Sequence, residues 1–105
     1  MEFHRVIAAA ELPEGRMRPV DIGERHILLC HTKDGWYALD DVCTHAFARM
    51  HEGRLRGHRL LCPLHGASFD CRTGSVLAAP ATEALKTYPV RHTGDGIEIG
   101  VPHCG

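Results

Sequence analysis

The chain has 105 residues and a formal net charge of −1. That is short for more than one domain and too nearly neutral for nucleic acid or an anionic membrane to hold it through its overall field. Its longest purely apolar run, Val6-Ile7-Ala8-Ala9-Ala10, is far below a membrane span or a signal-peptide core, so a cytoplasmic protein with no membrane contact is expected. Five cysteines and nine histidines are a heavy load of potential metal ligands, and a core this modest gains from a metal staple.

Taken in chain order, short β-type runs alternate with turn residues. Strands are predicted over Phe3–Ile7, Met17–Val20, His26–His31, Trp36–Asp40, Arg54–Arg56, Arg59–Leu61, Ser68–Asp70, Ser75–Leu77, Leu85–His92 and Ile97–Val101. Between them stand Pro13-Glu14-Gly15, Lys33-Asp34-Gly35, Arg72-Thr73-Gly74 and Gly94-Asp95-Gly96, which punctuate as turns. No long helical period occurs; Glu83-Ala84-Leu85-Lys86 has room for one turn between Pro80 and Pro89. Many short strands at this spacing predict an all-β fold, a small antiparallel sandwich or barrel. One domain is expected, with a base sheet from about 1–41 and 81–105 and an inserted hairpin unit from about 42–80.

Inside that unit lie Cys43-Thr44-His45 and Cys62-Pro63-Leu64-His65-Gly66, separated by the sixteen residues 46–61. Each cluster pairs one thiol with one imidazole, and each directly follows a predicted strand. Two such loops meeting in space give a Cys2His2 set. Zinc accepts that set in a tetrahedron. So does a Rieske 2Fe–2S centre, where two Cys hold one iron and two His the other. Zinc fingers, however, usually pair Cys with Cys and His with His, whereas each half here is mixed. Gly66 lets backbone approach closely without a side chain in the way.

The chain resembles the Rieske-type ferredoxins of bacterial aromatic-ring-hydroxylating dioxygenase systems, of the biphenyl and carbazole type. Besides the two ligand clusters, the matching residues are Leu12-Pro13-Glu14-Gly15, Tyr37-Ala38, Glu52-Gly53, Phe69-Asp70, Thr73-Gly74, Ala79-Pro80 and Tyr88-Pro89-Val90, in the family's order. The resemblance implies a Rieske-type sandwich or barrel with an inserted cluster-binding unit. It also implies one Rieske 2Fe–2S cluster, held by Cys43, His45, Cys62 and His65. The chain would be a monomeric one-electron carrier and not itself an enzyme. It would pass electrons from an NAD(P)H-dependent flavoprotein ferredoxin reductase to a terminal oxygenase. A fixed Rieske-like subunit of another redox enzyme, such as a nitrite reductase, is the alternative; a zinc-stabilised interaction module is a third reading.

Comparison with respiratory Rieske proteins adds further expectations. Their extra loop cysteines correspond to Ala48 and Leu64 here, so no disulfide clamp is expected. Their cluster-facing Ser and Tyr hydroxyls correspond to Ala67 and Phe69. Hydrogen bonds to cluster sulfur raise the potential, so a value low in the Rieske range of about −150 to +300 mV is expected. Ser68 should face away by strand alternation. His45 and His65 would be the electron port, with a potential that falls as pH rises and an imidazole deprotonates.

Other residues are assigned more ordinary roles. Cys30, Cys71 and Cys104 are expected to be free thiols, Cys30 as a small buried hydrophobe. Pro80 with Ala78 and Ala79 should form a third loop over the cluster, Phe47 should shield it, and Trp36 and Tyr37 should be sheet or core residues. The remaining histidines, among them His51 and His58, are read as surface or edge-strand residues. Arg49, Arg54, Arg56 and Arg59 against one acid, Glu52, make the 46–61 stretch basic. This is a candidate docking rim or a solvated hairpin face.

Overall fold

The computed structural model describes residues 1–44, 48–64, 66–79 and 83–102. Eleven strands form three antiparallel sheets. The first joins β1 (Glu2–Ala8), β11 (Gly96–Val101) and β10 (Val90–Thr93). The second runs β2 (Arg16–Ile22), β3 (Arg25–Thr32), β4 (Gly35–Asp40) and β9 (Thr87–Tyr88). The third runs β5 (Arg54–Arg56), β6 (Arg59–Leu61), β7 (Ser68–Asp70) and β8 (Val76–Ala78). Two single 3-10 turns, Ala9–Glu11 and Met50–Glu52, complete the elements among the described residues.

The second sheet is the middle layer, and the run Ile27-Leu28-Leu29-Cys30 on β3 shows why. All four residues are fully buried, which a strand achieves only when both faces are covered, since successive side chains point to opposite sides. Ile27 and Leu29 join Ile7, Leu12, Ala38, Tyr88, Ile97, Ile99 and Val101 in an outer core against the first sheet. Leu28 and Cys30 join Leu39, Met50, Leu60, Phe69, Cys71 and Leu85 in an inner core against the third. Cys43 and Cys62 belong to that inner core. The two candidate ligand cysteines therefore sit at the edge of packed apolar matter, between the middle sheet and the β5–β8 sheet.

Nine predicted strands appear, eight with ends shifted by one residue or not at all and Met17–Val20 lengthened to Arg16–Ile22. The tenth, Leu85–His92, is corrected. It divides at Pro89 into β9 and β10, which belong to different sheets. Proline has no N–H to extend a ladder, and here the chain changes layers at that residue. Leu85 and Lys86 lie outside any strand, and no helical turn forms over residues 83–86.

Candidate metal centre

The two ligand loops are closed by the same backbone device. Cys43 N–H donates to the Ala48 carbonyl at 2.8 Å, and Cys62 N–H donates to the Ala67 carbonyl at 2.8 Å. Each cysteine thus stands at the neck of its loop, five residues before its acceptor. An isolated bridge between Val42 and Arg49 tightens the first neck. In the second, Gly66 adopts φ +74°, a left-handed conformation that a side chain would strain. The Thr44 hydroxyl donates to the Glu83 carbonyl at 2.9 Å, tying the first loop to the segment that leads into β9.

The necks bring the two thiols together. Cys43 and Cys62 are almost fully buried, neither is in a disulfide, and their side chains are neighbours. Burial, with the Cys43 thiol beside it, pushes the Cys62 thiol above its ordinary pKa, while the Leu64 backbone N–H opposes this by bonding to it. A raised Cys62 thiol holds its proton more tightly, and a metal must displace that proton, since thiolate is the ligating form. Two soft donors from separate loops, with a backbone N–H turned on one sulfur, fit an iron–sulfur cluster, and they also fit zinc. His45 and His65 lie outside the described residues, as do Phe47, Pro80 and Cys104. Cys43 and Cys62 are therefore the two predicted ligands the structure places.

Three supports of these loops were not read from the sequence. The first is Asp41, fully buried two residues before Cys43. Its carboxylate accepts from Arg49 Nε at 2.9 Å, from the His51 backbone N–H at 2.8 Å and from His51 Nδ1 at 2.6 Å. Its carbonyl accepts from Met50 N–H, and its own N–H donates to His26. One side chain thereby straps the outgoing limb of the first loop to the incoming limb. His51, expected at the surface or on an edge strand, belongs to this strap. An Asp beside a Cys-x-His carries no signal of burial; only the packing reveals it.

The second support is Gly53. A Cβ built there would lie 1.8 Å from the Leu61 carbonyl oxygen, the residue before Cys62. The absence of a side chain lets the first loop's returning limb touch the strand that delivers the second cysteine.

The third support is the contact between Cys30 and Cys71. Both are fully buried, and their side chains are neighbours between the middle and third sheets. The neighbouring Cys71 thiol and burial raise the Cys30 thiol well above its ordinary pKa. The two are thiols, as expected, but they form a pair, which sequence separation concealed. His58 is likewise corrected from a surface residue: it is half-buried on Tyr37, with Nε2 2.9 Å from Asp34 Oδ2, though not aligned as a hydrogen bond.

Ala67 and Phe69 are fully buried behind the second loop. Ser68, although buried, accepts from Arg59 Nη1 at 3.2 Å on the opposite face of β7, the orientation that alternation requires.

The family description "Rieske [2Fe-2S] domain" matches residues 2–89. The chain belongs to the Rieske [2Fe-2S] family. That assignment decides between the two metals the donor set leaves open, and the group carried is a Rieske 2Fe–2S cluster. The chain is 41% identical over 93 residues to the ferredoxin component of the naphthalene 1,2-dioxygenase system of Pseudomonas aeruginosa, covering 89% of each chain. In structure it is similar to the ferredoxin of carbazole 1,9a-dioxygenase from Nocardioides aromaticivorans IC177. There the TM-score is 0.90 at 28% identity, over 94% of this chain and 97% of that one. A chain in the complex of reduced oxygenase and oxidized ferredoxin of carbazole 1,9a-dioxygenase gives a TM-score of 0.88 at 31% identity. It covers 92% of this chain and 91% of that one.

Proposed function

We propose that this Rieske protein is the ferredoxin component of an aromatic-ring dioxygenase system. It carries single electrons from an NAD(P)H-dependent flavoprotein reductase to a terminal ring-hydroxylating oxygenase. The observation that carries the reading is the meeting of the Cys43 and Cys62 thiols at two loop necks, in a chain of this family. Support for the oxygenase as acceptor is that a similar structure is a complex of oxygenase and ferredoxin. The chain is an electron carrier and not an enzyme on its own.

Cys43, His45, Cys62 and His65 are the cluster ligands in this reading, the sulfurs serving one iron and the imidazoles the other. The bound cluster supplies one reversible electron at a potential set by its ligands and surroundings. The protein's part is to hold. Backbone bonds from Cys43 to Ala48 and from Cys62 to Ala67 fix the necks, Leu64 N–H stabilises a thiolate at Cys62, and the apolar inner core excludes water behind them. One Rieske domain results, with residues 42–80 as the cluster unit on a base of 1–41 and 81–105. It works as a cytoplasmic monomer; no helix among the described residues is long and apolar enough to cross a membrane.

Anaerobically purified protein tests the reading. Iron and acid-labile sulfide should be equimolar, and the reduced protein should give a Rieske-type paramagnetic resonance signal. Replacing any one of Cys43, Cys62, His45 or His65 by Ala should abolish both. Zinc without sulfide would overturn it, as would intact signal in the Cys62→Ala protein.

A further inference from the structure

The four arginines of the 46–61 stretch separate once their surroundings are seen. Arg49 is bound to Asp41, and Arg59 lies on Ser68. Arg54 and Arg56 are exposed on the outward face of β5, and Arg16, at the start of β2, stands across from them. The arginine ion pairs among the described residues are made by Arg5, Arg49, Arg72 and Arg91, so none involves these three. They surround one open groove of about 410 Å³ with His51 beside them and Met17 and Leu55 as apolar lining. Among the described residues, no carboxylate lines it.

Two further features set this groove apart from an ordinary solvated face. Arg56 sits directly opposite Arg59 in the β5–β6 ladder, a like-charge pair that weakens a sheet. Gly53 and Arg54 also line the adjoining depression that contains Cys62, Pro63 and Glu52, so the basic band runs up to the second ligand loop. Across the band, Arg16, Arg54 and Arg56 against Glu52 leave +2, in a chain whose total is −1. Charge at an edge strand such as β5 can simply deter edge-to-edge pairing. Edge protection does not, however, call for a third arginine brought in from a different sheet, nor for an apolar lining between the charges.

We propose that this groove docks an acidic surface of the protein that exchanges electrons with the chain, steering it toward the Cys62 loop. The proposal rests on the electron-carrier reading and adds the chemistry of the partner. Steering of this kind acts over about a Debye length, ~8 Å at physiological salt, and raises encounter rates by about tenfold or more at low salt.

The test uses the cluster-loaded protein, reduced with dithionite and mixed with hexacyanoferrate(III), an anionic one-electron oxidant. One electron passes to give hexacyanoferrate(II), with no bond made or broken. Overall negative charge alone makes this rate rise with added salt; the groove makes it fall. R54E/R56E should slow the low-salt rate about tenfold. R5E/R91E, with the same change in total charge but on the first sheet, should alter it far less. Calorimetric titration with poly-L-glutamate, which needs no electron, should show binding by wild type and R5E/R91E and none by R54E/R56E. Equal effects of the two double variants, or poly-L-glutamate binding indifferent to R54E/R56E, would reduce the arginines to edge guards and overturn the proposal. A protein with no redox-active cluster would end the carrier reading instead, and the peptide titration would still decide the groove.

Discussion

Asp41→Ala tests how far the cluster loops depend on one buried carboxylate. Three donors converge on that carboxylate, two of them from His51 and one from Arg49. Hydrogen bonds involving a charged group contribute about 1.5–3 kcal/mol each, but their sum overstates the loss, because the substitution also removes the cost of burying a charge, several kcal/mol. The Arg49 and His51 side chains are about one-third exposed and can turn to water. What cannot turn is the His51 backbone N–H, stranded at a cost of about 1–3 kcal/mol, beside a small void. A net loss of about 3 kcal/mol follows. With a urea dependence of about 1.5 kcal/mol/M for a chain this size, the unfolding midpoint should fall by about 2 M.

The assay is urea denaturation under one set of conditions, followed both by circular dichroism and by the visible absorption of the cluster. Asp41→Asn, which keeps the volume and one acceptor oxygen, should fall between wild type and Asp41→Ala. Arg49→Ala should cost about 1 kcal/mol, and a double cycle with Asp41→Ala should show coupling, since the two groups touch. An Asp41→Ala protein within about 0.5 kcal/mol of wild type, with its cluster retained, would refute the strap.

Gly53→Ala should leave the base sheets folded but lower cluster occupancy severalfold, because its Cβ would collide with the Leu61 carbonyl; iron content per folded chain is the measurement. Asp70 is held below the usual carboxylate range by the Arg72 guanidinium, which bonds both of its oxygens. That contribution is complete above the unfolded value of about 3.9 and fades as pH falls through the lower folded value. The stability gap between wild type and Asp70→Asn should therefore be present at neutral pH and close in acid, as equilibrium denaturation across pH would show. Stripping the cluster with a chelator should raise amide hydrogen exchange in β5–β8, whose core contains Cys43 and Cys62, and leave β1, β10 and β11 protected by the other core; uniform loss of protection would contradict the two-core layout.

Strand positions were legible because alternation and turn residues are local signals. The Leu85–His92 run misled for a related reason: the residues on both sides of Pro89 suit a strand, and only the topology shows that the chain leaves one sheet for another there. Cys43 and Cys62 could be singled out as candidate ligands because spacing within each cluster is itself the message, and the structure brings them together. Their supports were not. Asp41 and His51 lie ten residues apart, Cys30 and Cys71 forty-one apart, and Gly53 matters through a carbonyl of a neighbouring strand. Each is a contact that burial creates, and neither composition nor period carries it. Arg16 escaped for the same reason, since its partners in the basic groove come from another sheet.

The two cores divide the work of the chain. Ile27, Leu29 and Ala38 face one way and Leu28, Cys30 and Leu39 the other, so β3 and β4 are a common wall for both. The outer core is built of side chains alone and can stabilise the base without any metal. The inner core includes the two cysteines Cys43 and Cys62, so its full stability is linked to what those side chains bind. Asp41, directly after β4, and Cys30, on β3 against Cys71, belong to this wall on the side of the loops. A rigid base that needs no metal can thus present two loop necks already in register, and loading them costs little further ordering.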